Sequence, residues 1–297
     1  MIRGPDFIII GAMKCATSTL HEQLARQKGV FMSTPKEPNF FSDDSQWLRG
    51  TDWYAGLFEN APPGALCGES STHYTKLPTY PSTIARMKRT LPDSVRFIYI
   101  MRHPVDRLVS HYIHEWTQRV ISCPIQKAVR EHSELIAYSR YAMQIEPFLD
   151  CFGPERVLPI FFERLARHPQ TELERVCEFI WLPTLPQWHD DLGEQNASNQ
   201  RLRQCAWRDA LINAPVLKQL RRALVPQAVR DWVKGFWTMS HRPELGESDI
   251  RRLNDEFDKD LALLGKWLGL DLNCNSYKDI AAQTSATWAP GKKASAA

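Results

Sequence analysis

The stretch from Asp6 to Leu24, DFIIIGAMKCATSTLHEQL, limits the possible folds more than any other part of the chain. Phe7 to Ile10 is an unbroken, largely β-branched apolar run, the pattern of a strand buried on both faces of a parallel sheet. Gly11 ends it. From Thr17 the spacing turns helical, with Leu20 and Leu24 one turn apart across His21, Glu22 and Gln23. The expected order is strand, short turn, helix. Such a turn receives anions, because the first N–H groups of a helix have no partner within it and its dipole places partial positive charge there. Lys14 adds a full charge, and Thr17, Ser18 and Thr19 add hydroxyls; with Cys15 and Ala16 they form the predicted cradle. The pattern is not a Walker A loop, since Ala16, Thr17 and Ser18 stand where that loop has Gly, Lys and Ser/Thr. A lysine at the start of the turn approaches a ligand from the strand side and need not serve a magnesium-bound γ-phosphate.

A second junction repeats the first. Val95 to Met101, VRFIYIM, reads as another buried strand, followed by Arg102 and a helix whose first turn tolerates Pro104. Further strand candidates lie at Ala65 to Gly68 and Val157 to Phe162. Helices are expected at Ser82 to Thr90, Tyr141 to Cys151 and Pro169 to Trp181. Strands alternating with helices indicate an α/β fold: a P-loop-like central parallel β-sheet flanked by helices on both faces. Between the first two strands, Pro35 and Pro38 hold Val30 to Phe41 extended as a loop centred on Lys36 and Glu37. Ile250, Leu253, Phe257, Leu261, Leu264 and Trp267 recur at three- and four-residue steps, so a long amphipathic helix closes the domain. One domain is expected over residues 1–282, with a disordered tail at 283–297 rich in Ala, Ser, Thr, Pro, Gly and Lys.

A formal charge of +3 over 297 residues is too small to argue for nucleic acid, although basic residues cluster between Arg201 and Lys234. The cysteines, at 15, 67, 123, 151, 177, 205 and 274, form no metal-ligand spacing and read as reduced thiols. The chain enters its first strand too early for a signal peptide, and no apolar run is long enough to cross a membrane. A cytoplasmic protein without membrane or nucleic-acid partners is expected, its oligomeric state open.

Two anion sites at the carboxyl ends of two strands in one sheet imply a ligand with two separated anionic groups, such as a nucleotide with a 5′ chain and a 3′-phosphate. From Phe7 to about Leu270 the chain resembles the sulfotransferases that use 3′-phosphoadenosine 5′-phosphosulfate (PAPS), and most closely their heparan-sulfate-type and bacterial branch. The resemblance assigns Lys14, Thr17 and Ser18 to the phosphosulfate end. It assigns Arg102 and Ser110, in RHPVDRLVSHY, to the 3′-phosphate. KEPNFF from Lys36 to Phe41, followed by DWY at Asp52 to Tyr54, is similar to the segment that carries the catalytic glutamate, which falls on Glu37, with His73 the rival base. Asn196 to Arg203 falls in the region of the family's late loop, making Arg201 and Arg203 candidate ligands of the 3′-phosphate. Two departures stand out: Ala16 where a glycine is common, and Ser70 where glycan enzymes carry a second lysine. The implied chemistry is in-line transfer of a sulfuryl group from PAPS to a glycan or small-molecule acceptor, with no metal required. The alternatives are a P-loop kinase or hydrolase and an inert nucleotide-binding protein. Phe40, Phe41, Trp47, Trp53, Tyr54 and Tyr74 are available either to line an acceptor pocket or to form core.

Overall fold

A computed structural model describes residues 4–192 and 242–290. Five parallel strands form one sheet: β1 (Phe7–Gly11), β2 (Val30–Met32), β3 (Leu66–Ser70), β4 (Arg96–Met101) and β5 (Val157–Phe161). Their order is β2-β3-β1-β4-β5, all neighbours parallel. Consecutive residues of β1, β4 and β5 are buried, so side chains on both faces are covered, as the apolar runs require. After β1 the chain passes to the β2 side, and later through β4 to β5. The crevice beyond β1 and β4 is therefore the topological switch point, where open α/β sheets take ligands.

Between the strands run α1 (Thr17–Ala25), α2 (Asp44–Trp47), α3 (Gly50–Gly56), α4 (Thr83–Thr90), α5 (Pro104–Thr117), α6 (Ile125–Glu131), α7 (Ser133–Ala137) and α8 (Tyr141–Phe152). After β5 come α9 (Phe162–Arg167), α10 (Pro169–Phe179), α11 (Glu247–Leu268) and α12 (Tyr277–Gln283). The long closing helix is α11, which buries Leu253, Phe257, Leu261 and Leu264. It also holds α8 by its first turn: Asp260 accepts from the Ala142 and Met143 N–H groups at 2.8 and 3.0 Å.

Two expectations need correction. The loop from Val30 begins as a strand, paired from Val30 to Met32 with Leu66 to Gly68; three residues are too few to show an alternating pattern. The tail does not begin at Gln283. Ala286 is fully buried, Trp288 donates its indole N–H to the Val157 carbonyl at 2.6 Å, and the Ala289 N–H reaches the Trp267 carbonyl at 2.8 Å. The physical reason is the sheet edge. On outermost β5 the Val157 and Pro159 carbonyls lack a strand partner, and Trp288 and Arg175 (2.6 Å to Pro159) cover them. Pro159 fits there because an edge strand loses nothing by a missing N–H.

Candidate active site

A single cavity of about 630 Å³ lies at the switch point, within the usual range for small-molecule sites. The turn after β1 contributes Lys14 and Ala16, and the first turn of α1 contributes Thr17, Ser18 and Thr19. Arg102 after β4 and Ser110 on α5 line the same cavity, as do Glu37 and His73. The candidates that lie on separate segments of the sequence thus converge on one space. Arg201 and Arg203 lie outside the described residues.

The first turn is built at a conformational cost. Lys14 and Ala16 adopt left-handed φ values of 69° and 64°, which L-residues with a Cβ disfavour. Gly11, at φ 155°, is required for another reason, since a Cβ there would collide with the Thr75 hydroxyl, which donates to the Ile10 carbonyl at 2.8 Å. Ala16 occupies the cap position of α1 and supplies no side-chain acceptor, so nothing in its side chain competes with a ligand for the first-turn N–H groups. Burial, and then the Arg102 charge, push the Lys14 pKa below the usual lysine value. Cys15 departs from expectation: its thiol is buried beside the Tyr141 hydroxyl, 3.9 Å away, and burial raises its pKa to about 11. With Lys14 and Ala16 turned to the cavity, the residue between them faces the core.

The second turn is tied down. The Tyr141 hydroxyl donates to the Arg102 carbonyl at 2.6 Å and accepts from the Arg102 N–H at 3.1 Å. The guanidinium lies over the Phe162 ring, 4.6 Å from its centroid. His103 caps α5 by accepting the Asp106 N–H at its Nδ1, which leaves its Nε2–H to donate to the Cys274 carbonyl at 2.9 Å.

Glu37 stands on the remaining wall with φ 57°, its N–H bonded to the Ser70 carbonyl at 2.9 Å. Its carboxylate accepts from Lys36 Nζ at 2.9 Å and from the Thr72 hydroxyl at 3.1 Å. Burial pushes its pKa up, but the Lys36 charge and hydrogen bond, Thr72 and Lys76 outweigh it and hold the carboxyl below its ordinary value. His73 donates from Nδ1 to Asp43 at 3.0 Å and stacks on Tyr80; burial, then the Lys76 charge, lower its pKa. Ser70 is fully buried and bonded to His21 Nδ1 at 2.8 Å, turned away from the cavity. The aromatic cluster is core. Phe40 and Tyr54 stack at 4.6 Å between centroids and both are buried, while the Tyr54 and Tyr74 hydroxyls donate to Glu69 at 2.7 and 2.9 Å.

Lys76, His114, Phe162 and Trp188 also line the cavity and were not foreseen. His114 had a readable signal, lying one helical turn beyond Ser110 on the same face of α5. Lys76 belongs to no spacing pattern, and only the fold brings it to the site. Two cations from separate turns and a carboxylate on one cavity wall suit a reaction on an anionic nucleotide.

A protein-family profile described as "Sulfotransferase family" matches residues 44–187, a span that includes His73, Arg102 and Ser110. Heparan sulfate glucosamine 3-O-sulfotransferase 3B1 of Mus musculus is 29% identical over 187 residues, which is 60% of this chain and 46% of that protein. The human bifunctional heparan sulfate N-deacetylase/N-sulfotransferase 3 is 27% identical over 199 residues, 60% of this chain and 22% of that one. The chain thus matches less than half the length of these relatives. In structure it is similar to a sulfotransferase from Alicyclobacillus acidocaldarius, with a TM-score of 0.64 and 24% identity over 91% of this chain and 98% of the other; at that identity the likeness speaks for the fold.

Proposed function

We propose that this chain is a sulfotransferase that transfers a sulfuryl group from PAPS to a hydroxyl or amine of a glycan or small-molecule acceptor, a reading that its similarity to the sulfotransferase family supports. The observation that carries the reading is the convergence of Lys14, Arg102, Ser110 and Glu37 on one cavity. Among the described residues neither Lys14 nor Arg102 has a carboxylate partner, and a half-buried cation without one is costly until an anion arrives. These residues fit the donor. Arg102 and Ser110 would hold its 3′-phosphate, and Lys14 with the start of α1 its 5′ end. The donor supplies an activated sulfuryl group on a phosphate leaving group. Glu37, ionised near neutral pH, accepts the proton of the attacking hydroxyl or amine. Lys14 balances the charge that grows on the departing oxygen. His73, held by Asp43 with Nε2 as its acceptor, is the second base of the wall. The six described cysteines are free thiols, which supports a reducing, cytoplasmic setting.

Calorimetry with PAPS, its desulfated product 3′-phosphoadenosine 5′-phosphate (PAP) and Mg-ATP tests the donor. PAP and PAPS should bind, and tight binding of Mg-ATP alone would overturn the reading. An acceptor screen with PAPS, read by mass shift, then supplies the assay. Glu37→Gln should leave PAP binding within about twofold while turnover falls by roughly 10²–10⁴, and His73→Asn should cost no more than about tenfold. The reverse order would move the base to His73.

A further inference from the structure

Lys76 follows directly on the 3₁₀ turn Thr72–Thr75 and shares the cavity with Glu37, Thr72 and His73. Among the described residues its ammonium makes no hydrogen bond or ion pair; it lies over the Tyr138 ring, 5.8 Å from the centroid. Burial lowers its pKa to about 8, Glu37 from the loop after β2 is the strongest charge acting on it, and Glu115 and Arg107 of α5 and Asp43 act after that. Lys14, by contrast, feels Arg102 first. Lys76 follows the turn whose Thr72 hydroxyl bonds the Glu37 carboxylate, which puts it on the wall that carries the base. His114 of α5 lines the same cavity, and burial, then the Lys14 charge, with Lys76 further behind, lower its pKa. A lysine half stripped of water and left without an anion is a costly thing to hold in a cavity wall. An anionic ligand group beside Glu37 would offset that cost.

We propose that Lys76 is a further catalytic residue, a second cation that grips the sulfuryl oxygens beside Glu37 while Lys14 holds the phosphate end. This rests on the PAPS reading above. In the transfer the bond from sulfur to the acceptor atom forms as the bond from sulfur to the phosphate oxygen breaks. The electron pair leaves on that oxygen, the acceptor proton passes to Glu37, and Lys76 stays protonated throughout. Its role is to neutralise the sulfuryl group so that an electron-rich acceptor can approach.

The distinguishing property is that PAPS carries the group Lys76 would touch and PAP does not. Calorimetry on the full chain, with PAP and PAPS, at about pH 7 and about pH 9.5 on either side of the lysine's titration, reads this directly. For Lys76→Met, PAP affinity should hold within about twofold while PAPS affinity drops roughly tenfold, the scale of one hydrogen bond to a charged group. In the unaltered protein the preference for PAPS over PAP should shrink by a similar factor at the higher pH, because Lys76 discharges there. Lys76→Arg should keep that preference at both pH values. Discharge of Lys14 is common to the unaltered protein and Lys76→Arg, so the difference between those two isolates Lys76. Equal weakening of PAP and PAPS in Lys76→Met, or a pH-independent preference in the unaltered protein, overturns the proposal alone. Failure of the unaltered protein to bind PAP overturns the donor reading and this one together. If Lys76→Met does not fold, the pH comparison of the unaltered protein with Lys76→Arg decides.

Discussion

After β1 the chain turns through two left-handed residues, Lys14 and Ala16, and enters α1 from a cap with no side-chain acceptor. After β4 it turns through Arg102, which Tyr141 clasps at both its N–H and its carbonyl, and enters α5 from His103, a cap that is itself tied to the Cys274 carbonyl. Both turns end a buried strand and begin a helix, and both offer a cation to the same cavity. The first carries strain and begins its helix from a cap without a side-chain acceptor; the second is braced from α8, α9 and the segment before α12. Asp106, which meets Lys278 at 2.6 Å and Arg242 at 3.0 Å, adds to that bracing. A group that must respond to charge developing during a reaction is best placed where nothing else competes for its hydrogen bonds. A group that only holds a fixed charge gains from rigidity. On this contrast the proposed donor would place its reacting end at the β1 turn and its anchored end at the β4 turn.

Lys14→Ala should show the largest effect. Removing a charge that acts on the departing oxygen is expected to lower kcat by roughly 10³, with PAP binding weakened much less. Steady-state rates beside calorimetry separate the two. If turnover survives while PAPS still binds, the β1 turn is not the reacting end and the contrast fails. Arg102→Ala should do the opposite: PAP affinity falls by about 10², as for a lost bidentate ion pair, while kcat at saturating PAPS changes by less than about tenfold. Arg102→Lys should recover only part of the affinity, since an ammonium has neither the fork nor the flat face that rests on Phe162. A kcat loss as large as that of Lys14→Ala would erase the division of labour between the turns.

The same contrast explains what was legible in the sequence. Both junctions announce themselves, because a strand buried on two faces must be an unbroken apolar run and the helix after it must change period. Lys14 and Arg102 follow from position on those junctions, and Ser110 from the resemblance. Glu37 was readable only through resemblance, as nothing in KEPNFF itself shows that its backbone turns left-handed and bonds to Ser70. Cys15 was misplaced because a turn of alternating left-handed residues sends its middle side chain inward, and composition carries no record of that. Lys76 was missed for a related reason: its neighbours at the site, Glu37 and Asp43, come from a different loop, and no local spacing connects them. Trp288 was lost to composition. Its surroundings read as tail, yet one indole reaching an open edge carbonyl fixes that segment.

The smallest effect tests the strain itself. A left-handed φ costs an L-residue roughly 1–2 kcal/mol, and glycine escapes that cost while adding freedom to the unfolded chain worth about 0.4–1 kcal/mol. Ala16→Gly should therefore stabilise the protein by about 1 kcal/mol or less, seen as a rise in Tm of about 2–4 °C for a chain of this size. Removing the methyl group also widens the approach to the N-terminus of α1, where Thr17 and Ser18 line the cavity, so PAP should bind no more weakly than before. A fall in Tm would mean that the methyl group packs well enough to offset its backbone strain; the β1 turn would then be as settled as the β4 turn, and the difference between them would lie in charge alone.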